Sequence, residues 1–117
     1  MSLTVSLDSI VFHGIQFILI QIRQTETYAK WFSGLRDPLT RARIDIRIRR
    51  LSLGNAGDVK PVGEGVSELR VDYGPGYRIY FIQSNEVMIV LLAGGNKSTQ
   101  GKDIRHAKAL AIDLKEF

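Results

Sequence analysis

The stretch from Glu68 to Phe81, ELRVDYGPGYRIYF, constrains this chain more than any other. Its odd positions Leu69, Val71, Ile79 and Phe81 are apolar, and its even positions Glu68, Arg70, Asp72, Arg78 and Tyr80 are polar. Strand side chains alternate between faces, so two such runs around Gly74-Pro75-Gly76 predict a β-hairpin with one core face and one polar face. A three-residue loop pairs Tyr73 with Tyr77, Asp72 with Arg78 and Arg70 with Tyr80. Arg70 and Arg78 then become diagonal neighbours within ~8 Å on the polar face. A one-residue slip in either strand would separate them, so this expectation depends on register.

The hairpin is followed by Glu86–Gly94, which is apolar on both parities through Val87, Ile89, Leu91 and Met88, Val90, Leu92. A strand of that kind is covered on both faces and belongs at the centre of a sheet. Upstream, Phe17–Arg23 reads as a first strand, and Thr25 caps a helix with Tyr28, Trp31, Phe32 and Leu35 at helical spacing. Asp37-Pro38 starts a second helix, running to about Leu53, with Ile44, Ile48 and Leu51 as its core stripe. Val59–Val62 is a candidate edge strand, since Pro61 cannot sit in a central one. Ser98 or Thr99 opens a C-terminal helix with Ile104, Ala107, Leu110, Ala111 and Leu114 inward. The predicted class is α+β in the order β-α-α-β-β-β-α, with a mainly antiparallel sheet, an N-terminal helical hairpin and a C-terminal helix. Residues 1–16 stand apart as an extension, a tail or an extra strand, ahead of a single domain over 17–117.

The whole chain has 117 residues and a formal net charge of +4. The isoelectric point near 9.6 favours polyanions. The excess is local: Arg41, Arg43, Arg47, Arg49 and Arg50 crowd the second helix, with Arg43, Arg47 and Arg50 at i, i+4, i+7. The absence of cysteine excludes disulfides and thiol catalysis and fits a reducing cytoplasm. No apolar run reaches the ~20 residues of a membrane span, and residues 1–16 lack the marks of a signal peptide. His13 and His106 lie far apart without clustered carboxylates, which does not predict a metal centre.

Arg70, Arg78 and Lys97, the last directly after the central strand in Gly94-Gly95-Asn96-Lys97, form a cationic set suited to phosphates. In RNA the 2′-hydroxyl is a built-in nucleophile. A protein then has to remove its proton, stabilise the phosphorane and protonate the leaving 5′-oxygen. Arginine suits the middle task, being permanently charged and able to fork onto two phosphate oxygens. Lys97 and the tyrosines Tyr73, Tyr77 and Tyr80 are the titrating candidates for proton transfer. The plain alternative is surface ion pairing, Arg70 with Glu68 or Asp72 and Arg78 with Asp72. The arginine face of the second helix has its own plain alternative, a solvated surface.

The stretches RQTETYAKWFSGLRDPLTRARI, LGNAGDVKPVGEGVSELR, YGPGYRIYF and LLAGGNKSTQ cover about four fifths of the chain. Together they resemble the RelE/HigB-like addiction-module killer proteins. That resemblance implies a small α+β toxin that enters the ribosome and cuts mRNA in the cytoplasm without a cofactor. Its partner would be a neighbouring antitoxin, often of helix-turn-helix type. It implies catalytic roles for Arg70, Arg78 and Lys97, beside which Tyr80 stands as a catalytic candidate from the residues alone, and contact of the basic helix, through Arg43, Arg47 and Arg50, with ribosomal RNA. Glu68 stands where one relative carries a basic residue. Two alternatives are a ParE-like toxin that binds DNA gyrase and a non-catalytic relative that binds its antitoxin.

Overall fold

The computed structural model describes residues 3–13, 16–85 and 87–115, and the side chains of 20–85 and 87–114. In chain order the elements are β1 (Leu3–His13), β2 (Gln16–Thr25), α1 (Glu26–Ser33), α2 (Pro38–Ser52), β3 (Val59–Gly63), β4 (Val66–Val71), β5 (Tyr77–Ser84), β6 (Met88–Asn96), a 3-10 turn (Lys97–Thr99) and α3 (Gln100–Lys115). The strands form one sheet in the order β1-β2-β6-β5-β4-β3. Every neighbouring pair is antiparallel except β2 and β6, which run parallel through Gln21↔Met88 to Gln24↔Leu91. The class is α+β with a mixed sheet and three helices.

The helices cover both faces of this sheet. Ile44, Ile48 and Leu51 of α2 and Tyr28 of α1 pack with Leu69, Val71, Ile79, Phe81, Ile89 and Leu91 on one face. Ala107 and Ala111 of α3 pack with Val66, Tyr80, Val90, Leu92 and Ala93 on the other. This double covering accounts for the two-parity apolar run of β6. A register shift after Tyr80↔Ala93 brings Phe81 opposite Leu91, leaving Leu92 as the extra residue. Leu92 and Ala93 therefore both reach the α3 side.

Local chemistry fixes the joints. Thr25 caps α1 by accepting from Tyr28 N at 3.0 Å, and its hydroxyl donates to Leu92 O at 2.6 Å, tying the helix start to the central strand. Asp37 caps α2 by accepting from Leu39 N at 3.1 Å, with Pro38 in the first turn.

Of the two forms expected for residues 1–16, a tail or an extra strand, Leu3–His13 takes the second: it is the edge strand β1, paired along β2; positions 14 and 15 lie outside the described residues. Val59–Gly63 is a strand at the opposite edge, as expected, where Pro61 can sit. One expectation changes. The hairpin turn spans 72–76 rather than three residues, because β4 ends at Val71. Gly74 and Gly76 take φ of +56° and +79°, conformations that suit glycine on either side of Pro75. The register moves with the turn: Arg70 lies directly opposite Arg78, and Glu68 opposite Tyr80.

Candidate functional site

Both hairpin arginines converge on one carboxylate. Arg70 Nε donates to Glu68 Oε1 at 2.9 Å, and Arg78 Nη1 donates to the same oxygen at 3.1 Å. The other oxygen, Oε2, accepts from Tyr80 Oη at 3.1 Å and from Gln100 Nε2 of α3 at 2.9 Å. Glu68 is fully buried, whereas the Arg70 side chain is 34% exposed and that of Arg78 12%. Like charges directly opposite across a hairpin repel. Here the carboxylate on the same face offsets that repulsion and fixes both guanidinium planes. Burial alone would raise the Glu68 pKa. Hydrogen bonds from Arg70, Gln100 and Tyr80, with the charge of Arg78, outweigh it and hold the carboxyl below its ordinary value.

Four donors occupy Glu68, so it acts as a brace. Arg70 spends only Nε on it, and the terminal nitrogens of Arg70 make no other hydrogen bond among the described residues. Arg78 Nε is buried and has no hydrogen-bond partner among the described residues. The sequence marked Glu68 only as a salt-bridge partner. Its position on the arginine face gave a signal, but the Gln100 contact from a distant helix did not.

Tyr80 is placed differently from its expected catalytic role. It is completely buried, its hydroxyl donates to Glu68, and burial together with the Glu68 charge raises its pKa. Its place is therefore that of a support beneath Glu68. Lys97 is exposed in the 3-10 turn, and a β-carbon added to Gly76 would lie 3.7 Å from its Cβ. It therefore borders the hairpin turn. Asn96 caps the turn that carries Lys97, its Oδ1 accepting from Ser98 N at 2.9 Å.

The Gly94-Gly95 pair serves both faces. A β-carbon on Gly94 would lie 2.2 Å from the Trp31 ring, and one on Gly95 would lie 1.9 Å from Asp103 Oδ2. Trp31 thus lies flat against the strand on the α1 side. Asp103, which accepts a hydrogen bond from Thr99, covers Gly95 directly opposite Arg78. A second carboxylate therefore borders the arginine pair.

The three arginines expected to act together on α2 have separate roles. Arg47 Nη1 donates to Arg70 O at 2.6 Å and Nη2 to Ala56 O at 3.3 Å, which ties α2 to β4 and the intervening loop. Arg43 lies 4.3 Å over the ring of Tyr73. Arg50 is exposed. Since α2 and α3 cover opposite faces, these arginines and the Arg70/Arg78 pair approach the end of β4 from two sides. A cavity of about 410 Å³ lies between α1, α2, β2 and β6, lined in part by Gln24, Tyr28, Asp45 and Ile46. Tyr28 is 2% exposed, and its hydroxyl has no partner among the described residues.

The chain is 50% identical over 95 residues to an uncharacterized protein of Haemophilus influenzae, an alignment covering 81% of this chain and 96% of the other. It belongs to the same family as that protein. No protein-family model matches it. No solved structure matches it either. No helix among the described residues is long and apolar enough to cross a membrane.

Proposed function

We propose that this protein is a RelE/HigB-like toxin of a toxin–antitoxin pair, a cytoplasmic endoribonuclease that cleaves mRNA on the translating ribosome. The observation that carries this reading is the pair Arg70/Arg78, held side by side across two strands by the buried Glu68. The RNA 2′-oxygen attacks the adjacent phosphorus, forming a 2′,3′-cyclic phosphate while the bond to the 5′-oxygen breaks. One proton leaves the 2′-hydroxyl and another reaches the 5′-oxygen. Arg70, with its terminal nitrogens unspent, binds the phosphate oxygens as negative charge grows on them, and Arg78 adds charge from beside it. Lys97 is the exposed amine at the border of this face, while Tyr80 and Gln100 hold Glu68 in place. The partners are mRNA, the ribosome and a cognate antitoxin.

One observation favours a second reading. The Tyr80 hydroxyl, an expected proton-transfer group, is sealed under Glu68. A toxin that binds gyrase or only its antitoxin needs no proton transfer here. Reporter mRNA incubated with purified protein, with and without translating ribosomes, separates the two. Ribosome-dependent cuts that fall at least 100-fold in Arg70→Ala/Arg78→Ala are expected. Absent cleavage by folded protein, with loss of DNA supercoiling, would transfer the assignment to the gyrase reading.

A further inference from the structure

α2 presents apolar residues on the side turned away from its core. Leu39, Ile46 and Leu53 are 52%, 49% and 45% exposed. They recur every seventh residue, so they fall on one stripe about 21 Å long, with exposed Ala42 between the first two. The core residues Ile44, Ile48 and Leu51 lie on the opposite side. Three half-exposed aliphatic side chains in register offer nothing to a phosphate backbone. The cavity beside α1 opens along the same flank, with Ile46 in its wall and the buried Tyr28 hydroxyl, without a partner among the described residues, lining it. A half-open cavity of mixed apolar and polar lining beside an apolar stripe is the form of an anchoring pocket.

Charge identifies the occupant. Arg43 and Arg50 follow Leu39 and Ile46 by four residues each and therefore border the stripe. The helix carries five arginines and a single acid, Asp45. A second copy docking through this face would bring arginines against arginines. We infer that the outer face of α2, together with the cavity beside Ile46, docks an amphipathic helix of another protein whose flanks are acidic. Its apolar edge covers Leu39, Ile46 and Leu53, its carboxylates meet Arg43 and Arg50, and one side chain enters the cavity toward Tyr28.

This inference stands apart from RNA cleavage and is tested apart from it. The probe is a labelled 21-residue designed helix with leucine at its a and d positions and glutamate at e and g. A matched peptide with lysine at e and g is the control, and binding is followed by fluorescence anisotropy on the full chain. The glutamate peptide is expected to bind at least tenfold more tightly than the lysine peptide. The exposed substitutions Leu39→Ser/Ile46→Ser/Leu53→Ser should weaken it at least tenfold with an unchanged melting temperature. Arg43→Glu/Arg50→Glu should reverse the preference between peptides, and amide shifts on binding should centre on residues 39–53 and Tyr28. Equal binding of both peptides, or undiminished binding by the serine variant, would overturn the proposal. So would a dimer of the wild type that the serine variant abolishes, which makes a second copy the occupant. Binding of a 20-nucleotide single-stranded RNA that depends on Arg43 and Arg50, with neither peptide bound, would reassign the face to RNA.

Discussion

Glu68 shows how one side chain decides what its neighbours can do. Without it, Arg70 and Arg78 would face each other across the hairpin as unscreened like charges; with it, they are held as a pair. Glu68→Gln keeps the volume but removes the charge, and its amide turns donors toward other donors. Breaking a buried ion pair from one side costs on the order of 3 kcal/mol. A urea midpoint lowered by a corresponding amount is expected, with ribosome-dependent cleavage reduced more than the folded fraction. An unchanged midpoint would mean that the arginines orient themselves. The shared parity of Glu68, Arg70, Arg78 and Tyr80 was legible in the sequence, because alternation alone sets it. The burial of Glu68 and Tyr80 was not, because it comes from α3 closing over that face.

Among elements, the hairpin and the central strand illustrate two kinds of information. Alternation placed β4 and β5 correctly, but turn length set their register. The turn took five residues because Asp72 and Tyr73 leave the ladder before Gly74-Pro75-Gly76. For β6, the two-parity apolar pattern was enough to place it centrally. The Gly94-Gly95 pair within it is explained by close packing, with Trp31 on one face and Asp103 on the other. Gly94→Ala puts a methyl group into a rigid indole, and overpacking of that kind costs about 1–3 kcal/mol. A lowered melting temperature with a change in Trp31 fluorescence is the expected outcome. An unchanged melting temperature would mean that α1 moves freely on the sheet. Helical spacing correctly gave the α2 core stripe, but it also suggested that Arg43, Arg47 and Arg50 act as one surface. Arg47 departs from that surface because the Arg70 and Ala56 carbonyls accept its hydrogen bonds.

For the whole molecule, the fold class followed from the succession of periods, whereas the pairing of β2 with β6 had no local signal. Acid stability is likewise a property of the whole. The Glu68 carboxyl is held below its ordinary value, so its contribution is complete above the usual carboxylate range and is lost as pH falls through the depressed value. Asp45, raised by partial burial, acts in the opposite sense. Melting temperatures between pH 7 and pH 3 should fall most steeply in the acid range, and Glu68→Gln should flatten that fall. Equal slopes in the two proteins would locate the acid sensitivity elsewhere.

The parallel pairing of β2 with β6 also imposes an order on synthesis. Residues 21–24 must wait for residues 88–91, and Glu68 is completed only when Gln100 has followed. β3 to β6 form a run of sequential antiparallel neighbours, a local unit that can assemble early, whereas the strand that precedes the helices joins across most of the chain length. A nascent chain therefore carries its arginines and Glu68 before Gln100 can complete the brace. The complete arginine face forms only when almost the entire polypeptide has left the ribosome that made it.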